Sequence, residues 1–211
     1  MARGRPPAHT REQVVAAAIR LADAEGLAAV TMRRVASSLG AGAMSLYTYV
    51  PNRDRLLDLM VDGVSAPAVE LSGDWRVDAV ALARSQRALM LEHPWLPEAL
   101  PNRGLSGRNT LAYLERGLTA LEPTGLSGHT RMEIIALITG FVAAYVMGEK
   151  AGRQPASEQV AALTEAVASG EFPQLAAALA SGGGGGSAPE PDFERIARWM
   201  ITGLIEQAQR A

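Results

Sequence analysis

Residues 39–57 read LGAGAMSLYTYVPNRDRLL, and this stretch decides the fold. Gly40 and Gly42 make a turn, and a helix is expected from about Ala43 to Val50. Pro51 ends it, because the residue before a proline is pushed out of the α region. Leu46 and Val50 stand four apart and must share the core-facing side. That leaves Ala43, Met44, Ser45, Tyr47, Thr48 and Tyr49 wholly or partly outward, with four hydroxyls in five positions. Just upstream, Thr31 caps a short helix to about Leu39, with Val35 and Leu39 inward. Two short helices around a glycine turn form the helix-turn-helix pattern.

Working outward, helical spacing recurs throughout and no strand pattern appears, so the fold class is all-α. Thr10 and Gln13 in TREQ form a capping box that opens a first helix ending near Glu25, with Gly26 as its C-cap. Its inward positions are Val14, Val15, Ala18, Ile19 and Ala22. Asn52 caps a fourth helix, whose stripe is Leu56, Leu57, Met60, Val61 and Val64. Asp74 caps a long helix to about His93, and Pro94 and Pro97 break it. Further helices are expected after Ser106 to Leu121, from about His129 to Gly152, over 157–168 and 172–180, and from Phe193 to about Gln209. SGGGGGSAPEP reads as a flexible loop over 181–191. The expected organisation is a disordered basic arm (1–9), a three-helix helix-turn-helix domain (10–55) and a larger helical domain (72–211). The fourth helix, about 52–71, connects the two.

Charge follows the same division. The net charge is −2, yet residues 1–55 hold eight arginines against four carboxylates and the remainder is −6. A basic end on an acidic body points to a nucleic-acid-binding module. There is no cysteine, which excludes disulfides, thiolate metal sites and cysteine nucleophiles. The three histidines are scattered, and no metal site is expected from them. The most apolar run, Ile134 to Met147, has 14 residues where a span needs about 20, so a buried helix is expected and no membrane partner. No nucleophile motif or phosphate loop is present, and Gly182 to Gly186 lack the following Lys-Ser/Thr, so no enzyme activity is expected. A membrane-surface module is the remote alternative, disfavoured because the arginines sit beside glycine and proline rather than along one amphipathic face.

The outward residues of the short helices suit DNA. Small residues permit close approach, hydroxyls bond phosphates or base edges, and Met44 can touch a thymine methyl. The N-terminus at Thr31 suits a phosphate. Arg33, Arg53, Arg55 and the tail residues Arg3 and Arg5 supply charge that releases counterions. Arg34 reads as solvated or salt-bridged. His93 reads as a structural residue at a helix C-terminus.

The helix ending in EGL, Thr31, RVASSLG, LYTYV and NRDRLL together closely resemble the DNA-binding domain of the TetR family, over about residues 10–62. LEHPWL, LAYLERGLTAL and FERIARWMITGL resemble, more loosely, the ligand-binding domain of an actinobacterial-type branch. The resemblance implies a one-component regulator, a repressor released from a palindromic operator by a small hydrophobic or amphipathic effector. An activator or a co-repressor-dependent regulator is the alternative within the family. It implies that Thr31, Met32, Arg33, Ala43, Met44, Ser45, Tyr47, Thr48, Tyr49 and Arg53 lie at or near DNA. It also implies homodimerisation through about 129–151 and 193–208. Trp95, Tyr113, Leu114, Ile138, Phe141 and Tyr145 are the expected effector-binding residues. The family often has a basic, serine or histidine residue in the third helix where this chain has Gly42, Thr48 and Tyr49, which shifts weight from base readout to phosphates and DNA shape. The histidine that holds a magnesium–drug complex in the tetracycline repressor falls near Ala99, which argues against that effector. No cofactor is expected.

Overall fold

The computed structural model describes residues 9–65, 69–100, 107–151, 164–181 and 193–210, and all regular structure among them is helical. The N-terminal unit is α1 (Arg11–Glu25), α2 (Met32–Ser38), α3 (Ala43–Leu46) and α4 (Arg53–Val64), with a 3-10 turn at Leu27–Ala29. The body is α5 (Trp75–Glu92), α6 (Leu96–Ala99), α7 (Arg108–Ala120), α8 (Gly128–Ala151), α9 (Pro173–Ser181) and α10 (Phe193–Ala208). The expected basic arm, most of the 157–168 helix and the glycine-rich loop lie outside the described residues, except His9, residues 164–168 and Ser181.

The helix starts are set locally. Thr10 accepts from the Gln13 N–H and the Gln13 side chain accepts from the Thr10 N–H, closing the capping box. Thr31, Asn52 and Asp74 each accept a backbone N–H at the openings of α2, α4 and α5. Each such cap is worth about 1 kcal/mol. Gly26 ends α1 at φ +82°, a conformation that glycine adopts without steric cost.

Two expected helices end early. α3 closes at Leu46 rather than Val50, because the Ser45 and Thr48 hydroxyls bond the carbonyls of Gly42 and Ser45 and draw the chain into turns. α4 ends at Val64 rather than 71. The Ser65 hydroxyl bonds the Val61 carbonyl at 2.7 Å, and a proline follows at 67.

Packing builds a continuous core. In the N-terminal unit Val14, Ala18, Leu46, Val50, Leu56, Leu57 and Met60 are sealed from solvent between α1, α3 and α4. Each buried Leu or Met contributes about 1.5–3 kcal/mol. In the body α5 lies against α8, α10 and α7, and α7 also packs on α8 and on α4. α4 is thus shared, with α1 on one side and α7 on the other.

α8 is long and apolar enough to cross a membrane by length and composition, and only 28% of its apolar window is buried within the protomer. One face, with Ile134, Ile135, Ile138, Val142 and Val146, belongs to the core. The other, with Leu137, Gly140, Ala144 and Met147, is exposed at a 3–4 spacing. A helix apolar on two faces has two packing partners. α10 shows the same, with Ala197, Ile201 and Ile205 inward and Trp199 and Gly203 outward.

A buried carboxylate joins the approach to α5. Asp78 is 2% exposed and accepts from the Ser72 N–H (2.8 Å), the Ser72 hydroxyl (2.7 Å) and the Gly73 N–H (3.0 Å). Burial pushes its pKa up, but these hydrogen bonds outweigh it and hold the carboxyl below the usual range. A depressed folded-state pKa contributes stability that is present above the unfolded value near pH 4 and is lost as pH falls through the folded value. Asp78→Asn is therefore expected to flatten the acid limb of the stability curve below about pH 4, read by urea melts at successive pH values. An unchanged acid limb would show that Asp78 is not linked to folding.

Candidate nucleic-acid interface and effector cavity

The exposed edge of the N-terminal unit is formed by the start of α2 and the length of α3. Met44 is 81% exposed and Tyr47 46% exposed, with Ser45 and Thr48 beside them. Ala43 is half-buried and packs on the core, so it offers a smooth surface rather than a contact. Ser45 and Thr48 direct their hydroxyl hydrogens to their own helix's carbonyls, while Tyr49 is half-buried and its hydroxyl accepts the His9 N–H at 3.3 Å. Of the four hydroxyls, Tyr47 carries the one with no intramolecular bond among the described residues. At α2, Thr31 is exposed and accepts the Arg34 N–H at 3.2 Å, and Arg33 is exposed with no side-chain partner among the described residues. Arg34 pairs with Glu25 at 2.7 Å, as its reading as a salt-bridged residue expects.

Two expected contact residues are placed otherwise. Met32 is 8% exposed and belongs to the core. A seven-residue helix has under two full turns, and Met32 shares the inward side with Val35 and Ala36. Arg53 turns its guanidinium inward along the chain: Nε donates to the Val30 carbonyl at 2.7 Å and a terminal nitrogen to that of Leu27 at 3.1 Å. It ties the start of α4 to the entry of α2.

In the body a cavity of about 10 Å³ is lined by Ala79 and Leu82 of α5, Tyr113 and Gly117 of α7, Leu121, and Ile135 and Ile138 of α8. That is room for about one water. Tyr113 and Ile138 of the expected effector residues meet here, and Leu114 packs alongside on the core without lining the space. Phe141 and Tyr145 instead form an aromatic cluster with Phe193 of α10, with centroids 5.0–6.0 Å apart. Arg87 lies 5.3 Å over the Phe193 ring and pairs with Glu149. Trp95 is not in the cavity. It is 2% exposed, and its Nε1 donates to Asp23 of α1 at 2.7 Å, beside His93 whose Nδ1 is 2.8 Å from the same oxygen. An indole N–H needs an acceptor when buried, and α1 supplies it. The structural reading of His93 stands, through this bond.

Gly117, Leu121, Ile135, Ala79 and Leu82 were not singled out in the sequence, nor were Gln86 and Thr139 behind them. Gln86 is a polar residue on the inward face of α5, four positions after Leu82, and that was the available signal.

A second junction joins the units. Asp62 of α4 accepts from the Asn109 and Thr110 N–H groups at the start of α7, both at 2.9 Å, and Asn109 Nδ2 donates to the Asp62 carbonyl at 2.9 Å. A carboxylate of α4 thus closes the N-terminus of the helix whose next two turns line the cavity. Among the described residues no group of three or more His, Asp or Glu gathers to hold a metal.

A helix-turn-helix head on a larger helical body is the architecture of a one-component DNA-binding regulator. Residues 14–60 match the profile of the bacterial regulatory proteins of the tetR family, and residues 66–208 that of the tetracyclin repressor-like C-terminal domain. The chain belongs to the TetR family. It is 40% identical over 189 residues to the HTH-type transcriptional repressor DrrR1 of Streptomyces coeruleorubidus, covering 85% of this chain and 68% of that one. The crystal structure of apo ActR from Streptomyces coelicolor superposes with a TM-score of 0.80 at 31% identity, covering 98% of this chain and 99% of that one. ActR in complex with actinorhodin gives a TM-score of 0.75 at 28% identity and 95% coverage of both chains.

Proposed function

We propose that this chain is a homodimeric repressor whose residues 10–55 read one half of a palindromic operator and whose residues 72–211 bind an apolar small molecule and dimerise. The observation that carries this is the pairing of an exposed α2–α3 edge with a body cavity through the Asp62 cap. Met44 and Tyr47 reach toward bases and backbone, Thr31 and the first N–H groups of α2 take a phosphate, and Arg33 supplies charge. Ser45, Thr48 and Tyr49 border this surface, and Arg53 and Met32 hold its shape. Two heads on a two-fold axis read two half-sites about one DNA turn apart. An effector that enters beside Tyr113 must displace α7. Through Asp62 this moves α4 and changes the spacing of the heads, and it acts only by binding one state better than the other. Relatives support the repressing sign: DrrR1 is a repressor, and ActR is solved with actinorhodin bound. The chain acts on DNA without turnover, in the cytoplasm.

The test is selection from random duplex DNA at low salt, followed by anisotropy on the enriched site. A palindrome is expected to emerge, and Met44→Ala with Tyr47→Ala is expected to lose it. Arg33→Ala is expected to weaken all sequences alike and to lower the salt slope by about 1 per half-site. Failure of ligand-free protein to enrich any site would reject the proposal.

A further inference from the structure

Behind Tyr113, the polar side chain that lines the cavity, Gln86 and Thr139 form a small polar cluster that is incomplete. Gln86 stands on α5 one turn beyond Leu82 and is 9% exposed. Its amide nitrogen donates to Thr139 Oγ1 at 3.0 Å. This orientation is fixed by Thr139 itself. The single hydroxyl hydrogen of Thr139 goes to the Ile135 carbonyl at 2.9 Å, so its oxygen can only accept from Gln86. The Gln86 carbonyl oxygen is therefore turned the other way, where it is buried without a hydrogen-bond partner among the described residues. Buried acceptors are paired in nearly all native sites, and an orphan calls for an explanation. Tyr113, a lining residue, has its hydroxyl 3.5 Å from Thr139 Oγ1, next to the Gln86 side chain. Burial raises the Tyr113 pKa, so this phenol stays neutral. The other lining side chains named above carry no charge, and the nearby Arg87 and Glu149 neutralise each other.

We propose that Gln86 is the polar anchor of the effector cavity, and that the effector is an uncharged, largely apolar molecule presenting an O–H or N–H to the Gln86 carbonyl oxygen. This rests on the reading that the cavity receives the effector. A donor placed there satisfies the orphan acceptor, and the rings or chain behind it replace the contacts of α5, α7 and α8 as α7 moves out. A carboxylate or ammonium in the same place would be buried without a counter-ion. A molecule of the same shape without the donor leaves the acceptor unpaired, which is how a polar site discriminates against isosteres.

The experiment titrates full-length protein by calorimetry with three probes of one ring system: 2-naphthol, 2-methoxynaphthalene and 2-naphthoate. 2-Naphthol is expected to bind at least about tenfold more tightly than the methyl ether, and the carboxylate more weakly still. Gln86→Met, close in volume, is expected to erase the preference for 2-naphthol while its melting temperature shows an intact fold. Gln86→Glu keeps an acceptor at the same place and is expected to retain the preference. Equal affinities in the wild type, a preference retained by Gln86→Met, tight naphthoate binding, or no binding of 2-naphthol each overturn the proposal. Operator binding is measured separately without probes. A selected palindrome with no donor preference rejects this proposal alone, and absence of any operator rejects the regulator reading.

Discussion

Gly140→Glu in α8 is expected to leave each protomer folded and to abolish the dimer. A side chain at Gly140 meets nothing within 4 Å in the protomer, and the same holds for Gly203 on α10. Both sit mid-helix, where glycine costs about 1 kcal/mol relative to alanine. Around them Leu137, Met147 and Trp199 are 52–64% exposed, unusual for large apolar side chains clustered on two adjacent helices. An exposed apolar stripe with glycines at its centre fits close approach of the same two helices from a second subunit, as TetR-family regulators dimerise. A glutamate there buries an unpaired charge at the interface and holds the helices apart. Sedimentation should show a monomer with wild-type helicity. Operator affinity should fall about 100-fold or more, because the second head no longer binds at high effective concentration. A dimer with undiminished operator affinity would place the interface elsewhere.

Gly107→Ala is expected to lower stability by about 2–4 kcal/mol, combining strain at a position needing positive φ with loss of a helix cap. Gly107 has φ +116°, and a Cβ there would stand 2.2 Å from the Asp62 carboxylate. That carboxylate cannot simply move aside, because it caps α7 through Asn109 and Thr110. Displacing it uncovers the N-terminus of a 13-residue helix and its partial positive charge. For a chain of this size the melting temperature should drop by roughly 5–15 °C. The loss should extend to coupling: the operator is still bound at low temperature, but the effector no longer releases it over the same concentration range. Asp62→Asn keeps one acceptor and should show the same uncoupling with a smaller loss of stability, about 1 kcal/mol. If Gly107→Ala melts with the wild type and releases DNA normally, the α4–α7 cap is not the link.

What was legible in the sequence was local. The caps at Thr10, Thr31, Asn52 and Asp74 act within three residues of themselves, so their signals survive without knowledge of the fold. The pair Leu46 and Val50 fixed the inward side of the recognition segment, and both are sealed in the core. The extent of α3 was less legible, because hydroxyls that suit a phosphate also bond their own backbone. Met32 shows the limit of periodicity in a short helix: with fewer than two turns, an end position faces inward or outward according to what packs above it.

Trp95 and Arg53 show the other limit. As residue types, an aromatic suits a cavity and an arginine suits DNA. Each is committed instead to a partner far along the chain, Trp95 to Asp23 across 72 positions and Arg53 to carbonyls 23 and 26 positions away. The same is true of Asp62 on Asn109 and Gln86 on Thr139, 47 and 53 positions apart. An all-helical DNA-reading head, its caps and its core stripes can be read along the chain, since these follow from backbone hydrogen bonding and a 3.6-residue period. Which polar side chains are already satisfied, and which buried acceptor is not, depends on packing across the fold, because a hydrogen bond is a fact about two atoms in space.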